Sequence, residues 1–247
     1  MVRAIASLAV CVSGAVYGQS AVAPRFEVAS VKPSIADPRA VSGIQTGHGR
    51  LDAHNVTLQR CIIGAYGVGP HQISGGPDWL DLDRYEISAK ADPPVNDDAA
   101  LMVMLQGLLA ERFKLVLHRE TRTIPAFVLE VARNGPKLQK AEPGEAENST
   151  STSNTGVVIA AHHTDMDAFA RILARKTELP VVNHTGLDGI FDFQLQWTPE
   201  RTRPSDGAME GASIFTAIQE QLGLRLRSQK APVEVLVIDH VEKPSAN

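Results

Sequence analysis

Two cysteines in 247 residues exclude a disulfide-dense scaffold. No stretch reaches the roughly 18 uninterrupted apolar residues of an ordinary membrane span. Positive charge is not in excess: 24 basic against 28 acidic residues leave a formal net charge of -4, which argues against a nucleic-acid binder relying on overall charge. Also missing are G-x-S-x-G, H-E-x-x-H, S-x-x-K, a P-loop and a dinucleotide G-x-G-x-x-G. What remains is an ordinary globular composition, 43% apolar and 21% charged, long enough for one large domain or two small ones.

The amino terminus reads as an address. Arg3 supplies a positive n-region, Ala4 to Val16 a small-residue apolar core, and Val16 and Gly18 fit the -3 and -1 positions of a cleavage site before Gln19. Residues 1–18 are therefore expected to be a signal peptide, and the mature chain to be secreted or periplasmic, with no transmembrane span after cleavage. Losing Arg3 takes the net charge from -4 to -5, and losing Cys11 leaves Cys61 alone, with no intramolecular disulfide possible.

Four amphipathic helices follow from spacing. Their stripes are Leu58, Cys61, Ile62, Ala65, Tyr66; Leu101, Leu105, Leu108, Leu109; Met166, Phe169, Ala170, Leu173; and Ile214, Ile218, Leu222. Thr57 and Asp165 are natural N-caps for the first and third. Strands are expected at Tyr85 to Ala89 and Ile190 to Trp197, then as pairs: Phe113 to His118 with Ala126 to Val131, and Leu224 to Arg227 with Val233 to Ile238.

Laid side by side, the two parts of the chain match in residue class. Ala53 to Leu58 resembles Ala161 to Met166; Leu80-Asp81 with Tyr85-Glu86-Ile87 resembles Leu187-Asp188 with Phe191-Asp192-Phe193. The expectation is an α+β fold of two similar halves, each roughly α-β-β-α-β-β with antiparallel sheets, arising from an internal duplication. The boundaries are 19–140 and 157–247, with 141–156, rich in Ser, Thr, Glu and Asn, as a flexible linker.

A further set of stretches covers nearly all of the mature chain: Phe26 to Pro33, Asn55 to Leu58, Gly75-Gly76-Pro77-Asp78-Trp79-Leu80, Glu111 to Leu115, Asn183 to Gly189 and Val237 to Glu242. In these the chain resembles the "soil-associated protein" family, exported proteins of certain soil bacteria built on a domain of unknown function. The resemblance implies no activity. Related domains occur as extracytoplasmic parts of membrane peptidases similar to antibiotic-sensing receptors, which implies a sensing or binding role. The helix-then-two-strands unit also resembles periplasmic modules of secretins and TonB-dependent receptors, a likeness of fold alone.

No catalytic residue, metal site or cofactor is expected. His162-His163 with Asp165 and Asp167 is the densest group of potential ligands, but neighbours on a strand face opposite ways. Cys61 falls on an apolar helical stripe and reads as a buried hydrophobe. Trp79, after a Gly-Pro turn, is suited either to plug the core or to form a binding platform. Lys114, Arg119 and Arg122 lie in one half, and Arg225, Arg227 and Lys230 in the matching stretch of the other. Of these, Lys114, Arg119, Arg225 and Arg227, with Trp79, are the candidate ligand-binding residues, for an anion such as a cell-wall carboxylate or phosphate.

The expected function is a non-catalytic binding or interaction module whose partner is an envelope ligand or protein and not nucleic acid. The alternative is a secreted hydrolase of envelope or soil polymers, using His118, His240 and the acids Asp78, Asp81, Asp83 and Glu86 near Trp79. A third possibility is a protein partner recruited through an exposed sheet edge.

Overall fold

Two strand-to-helix corners organise the molecule. β3 (Arg50–Thr57) runs directly into α1 (Leu58–Tyr66), and β9 (Gly156–Thr164) into α4 (Met166–Ala174). At each corner the side chain before the helix accepts a free backbone N–H: Thr57 from Arg60 and Asp165 from Ala168. Two residues earlier the strand bulges, with Asn55 at φ 51° and His163 at φ 49°. The bulge takes a backbone N–H out of the ladder, and a carboxylate on the next strand accepts it. Glu86 serves Asn55 at 3.0 Å and Asp192 serves His163 at 2.8 Å. Those acids lie on β5 (Arg84–Lys90) and β11 (Phe191–Trp197).

The computed structural model describes residues 24–244 apart from 36, 38, 96, 143, 145–146, 154–155 and 200–211. The expected signal peptide, 1–18, lies outside the described residues. Among the described residues, five α-helices and twelve strands form three sheets, so the chain is α+β. The first sheet adds β1 (Val28–Pro33) and β2 (Gly43–Gly47) in the order β1-β5-β3-β2. The last adds β7 (Gln139–Lys140) and β8 (Glu147–Ser153) in the matching order β7-β11-β9-β8. Both are antiparallel throughout.

The middle sheet is shared. Its centre is an antiparallel ribbon of β6 (Val116–Val131) and β12 (Leu224–His240). On its edges, β4 (Ile73–Ser74) lies parallel to β12 with Ile73 opposite Leu236, and β10 (Val181–Asn183) lies parallel to β6 with Val181 opposite Phe127. The strand that follows each half's first helix thus joins the long strand of the other half. Cores follow suit. Leu236 and Ile238 are buried with Leu58, Ile62, Leu105 and Phe113, whereas Leu129 is buried with Phe169, Leu195 and Ile218. Between them, Ala126, Val128, Ala231, Val233 and Val235 line the ribbon itself.

The helices fall where the spacing predicts, with α3 (Asp98–Arg112) and α5 (Ile214–Leu222) completing the set and a one-turn α2 (Trp79–Leu82) added. The strand order needs correcting. Apart from the one-turn α2 between β4 and β5, each half runs β-β-β-α-β-β-α-β, and the two closing strands expected in each are one continuous strand. Phe113 caps α3 and Lys114 turns with φ 51°, so neither belongs to a strand. Glu147–Ser153, inside the expected linker, is the edge strand β8, and Gln139–Lys140, counted with the first half, pairs in the last sheet. All seven residues of β8 are exposed, so it carries no apolar alternation; backbone bonds to β9 alone make it a strand.

Glu86 offers a check on the first corner. Its carboxyl is held below its ordinary value, foremost by the hydrogen bond from Ser34 (2.6 Å), with Asn55 N–H and His54 adding and partial burial opposing. A carboxyl depressed in the folded state stabilises above its unfolded pKa, and that contribution fades as pH falls through the folded pKa. Glu86→Gln should therefore be less stable than wild type at pH 7, with the gap closing under acid. Urea midpoints from pH 7 down to pH 3 will show it, and a gap that widens on acidification would refute the assignment.

Candidate functional site

The residues singled out from sequence are mostly spoken for. Arg225 makes two bonds to Glu130 across the ribbon, at 3.0 and 2.7 Å, and Arg227 approaches the same carboxylate at 3.8 Å. Arg119 pairs with Glu234 on β12. Arg122 binds Glu120 and the Ser74 hydroxyl. Lys114 stands exposed in the turn between α3 and β6. Trp79 is half-buried against the first core, with the Lys243 ammonium 5.6 Å from its ring centre and bonded to Asp83 at 2.6 Å. The ring serves as a lid on the core with a cation over it.

The two histidines of the hydrolase reading sit in surface pairs. His118 binds Asp239 at 2.9 Å and His240 binds Glu242 at 2.9 Å. Ser34 and His54 both bond to Glu86, so the carboxylate stands between hydroxyl and imidazole. Burial pushes the Cys61 thiol up to about 12, with Arg60 opposing in part, which keeps it protonated and unreactive. His162 approaches Asp192 at 3.8 Å, and among the described residues no group of three His, Cys, Asp or Glu side chains converges to hold a metal.

The more informative cations lie elsewhere, where the halves meet. The turn after α1 packs on the end of α4: a Cβ on Gly69 would sit 3.1 Å from the Ala174 carbonyl oxygen. This brings Arg60 of α1 near Lys176, which follows Arg175 in the chain, with Arg171 one turn earlier on α4. Protein packed around Lys176 lowers its pKa, and Arg175 and then Arg60 lower it further; Arg175 is lowered by burial and then by Arg171. Both side chains keep open surface, so only part of each is out of water. Among the described residues, no carboxylate lies within 4.0 Å of any of the four. The C-terminal dipole of α4 favours cations at its own end, but Arg60 sits in the first turn of α1, where the dipole disfavours positive charge.

A groove lies on each side of this ridge. One, about 510 Å³, runs between the end of α1 and the start of α3, walled by Tyr66, Val68, Met102 and Val103, with Arg171 on its rim and the Arg119–Glu234 pair also lining it. The other, about 360 Å³, runs between the end of α4 and the start of α5, walled by Phe127, Trp197 and Phe215, with Lys176 on its rim. The two occupy matching places in the two halves.

Residues 59–241 match the family model described as Protein of unknown function (DUF3738). The chain belongs to this family. No curated protein and no solved structure matches it. The DUF3738 match begins inside α1 and ends just past β12, so it takes in Arg60, both grooves and the whole exchanged middle sheet. It leaves out β1, β2 and β3. The four cations of this DUF3738 protein escape a reading of sequence because Arg171, Arg175 and Lys176 look like ordinary helix C-terminal charges. Only the packing of the turn after α1 on the end of α4 brings Arg60 near Lys176.

Proposed function

We propose that this protein is an exported, non-catalytic binding module of the periplasm or cell exterior, descended from an internal duplication, and that it holds an anionic ligand where its halves meet. The resemblance to exported soil-associated proteins supports the location. One observation carries the binding reading: Arg60 of one half comes near Lys176 of the other, beside Arg175 and Arg171, and among the described residues no carboxylate lies within 4.0 Å of any of them. Like charges brought together cost stability that an anion returns on binding.

That trade can be measured. Arg60→Ala with Arg175→Ala should leave the unliganded protein as stable as wild type or more so. The same change should weaken binding of acetate, phosphate or citrate by about tenfold or more and flatten its dependence on salt. Thermal shift and titration calorimetry read both halves of the expectation. Wild-type protein indifferent to every anion, or a variant binding as wild type does, would refute it.

A further inference from the structure

Resting on that reading, we infer that the ligand is an amphiphile, an anionic head on an alkyl chain, seated with its head on Arg171 and its chain along the groove between α1 and α3. The groove's two sides differ in chemistry. Val103 and Met102 offer aliphatic and thioether surface, Tyr66 adds an aromatic edge, and Val68 backs them from the core. Val103 is 45% exposed on a helix whose leucines, Leu101, Leu105, Leu108 and Leu109, are buried together with Met104, while Met102 is half-buried beside it. Gly64 keeps the wall low: a Cβ there would lie 3.4 Å from Ile44 and 3.9 Å from the Met102 sulfur. A small hydrophilic anion would leave this surface wet, whereas an alkyl chain covers it.

Charge sets the orientation. Of the two arginines lining the groove, Arg119 is already neutralised by Glu234, so it does not draw a second anion. Arg171 has no carboxylate within 4.0 Å among the described residues and lies next to Arg175. A head group at the Arg171 rim meets the cation ridge, and the chain then runs toward Met102 and Val103. The groove's volume of about 510 Å³ falls in the range of ordinary small-molecule sites.

The test compares decanoate, kept below its micellar concentration, with acetate, on wild type, Val103→Asp and Arg171→Glu. Both substitutions are at the surface, and melting curves without ligand verify that the variants fold. Decanoate should bind wild type at least about tenfold tighter than acetate, because methylenes leave water on the groove wall. Val103→Asp should lose most of that advantage while leaving acetate unchanged, and Arg171→Glu should weaken both. If acetate binds wild type as tightly as decanoate, the amphiphile is refuted and the anion site stands. If neither binds, both fall. If Val103→Asp leaves decanoate binding untouched, the chain does not lie in this groove and the inference is overturned.

Discussion

Cutting Leu236 back to alanine will destabilise the protein by about 2–5 kcal/mol, and the damage will appear in the half to which Leu236 does not belong in sequence. The residue is fully buried, lies opposite Ile73 of β4, and shares a core with Leu58, Ile62 and Phe113. Its removal leaves a void under α1, in a setting held on several sides by helices and sheet that cannot all move inward. Hydrogen exchange locates the loss. Amides of α1 should lose protection at lower denaturant than in wild type, with those of α4 following only at global unfolding. Leu129→Ala should show the converse, since Leu129 is buried among Phe169, Leu195 and Ile218. If Leu236→Ala instead loosens α4 and α5 alone, the exchange of core residues between the halves is wrong.

Gly223→Ala will be of similar severity, about 2–5 kcal/mol, for a different reason. Gly223 ends α5 at φ 65°, a conformation that costs a residue with a side chain about 1–2 kcal/mol. The turn after β6 is folded onto it: Ala132 N–H donates to the Gly223 carbonyl at 2.9 Å and Lys137 N–H to that of Leu222 at 2.8 Å. A methyl group at Gly223 would fall far inside contact distance of the Gly135 carbonyl oxygen and 3.0 Å from the Lys137 nitrogen. These are backbone atoms and cannot swing aside. Lys114 makes the equivalent turn after α3 with φ 51°, and Lys114→Gly should be neutral or slightly stabilising, since it relieves the same conformation where a side chain already bears it. Chemical denaturation of the two variants side by side is the measurement. Equal, small effects would mean that the packed turn at Gly135 contributes nothing.

What sequence could reveal divides along physical lines. The stripe of Leu58, Cys61, Ile62 and Ala65 was legible because a half-buried helix must repeat its apolar residues at helical spacing, and Thr57 was legible because a hydroxyl ahead of such a stripe caps it. The middle of β6 was not. From His118 to Thr123 nearly every side chain is exposed, so no alternation marks a strand, and the run is extended because β12 pairs with it residue by residue. Nor could spacing show that Arg225 and Arg227 face Glu130, since that partnership depends on the register of two strands distant in sequence. Charge patterns on single elements mislead when the partner element carries the opposite charge. They equally miss a site such as Arg60 with Lys176, whose members come together only through topology.

The exchanged middle sheet also bears on how the molecule would respond to a protease. A cut between Glu142 and Glu147 would sever the chain without separating its pieces. The amino-terminal fragment would still carry β7 in the last sheet, β10 on its own β6, and the whole ribbon face of β12. Such a nicked protein should behave as a tight heterodimer, intact by gel filtration and divided only under denaturant. For this architecture, survival of the native mass on a column says nothing about whether the backbone is whole.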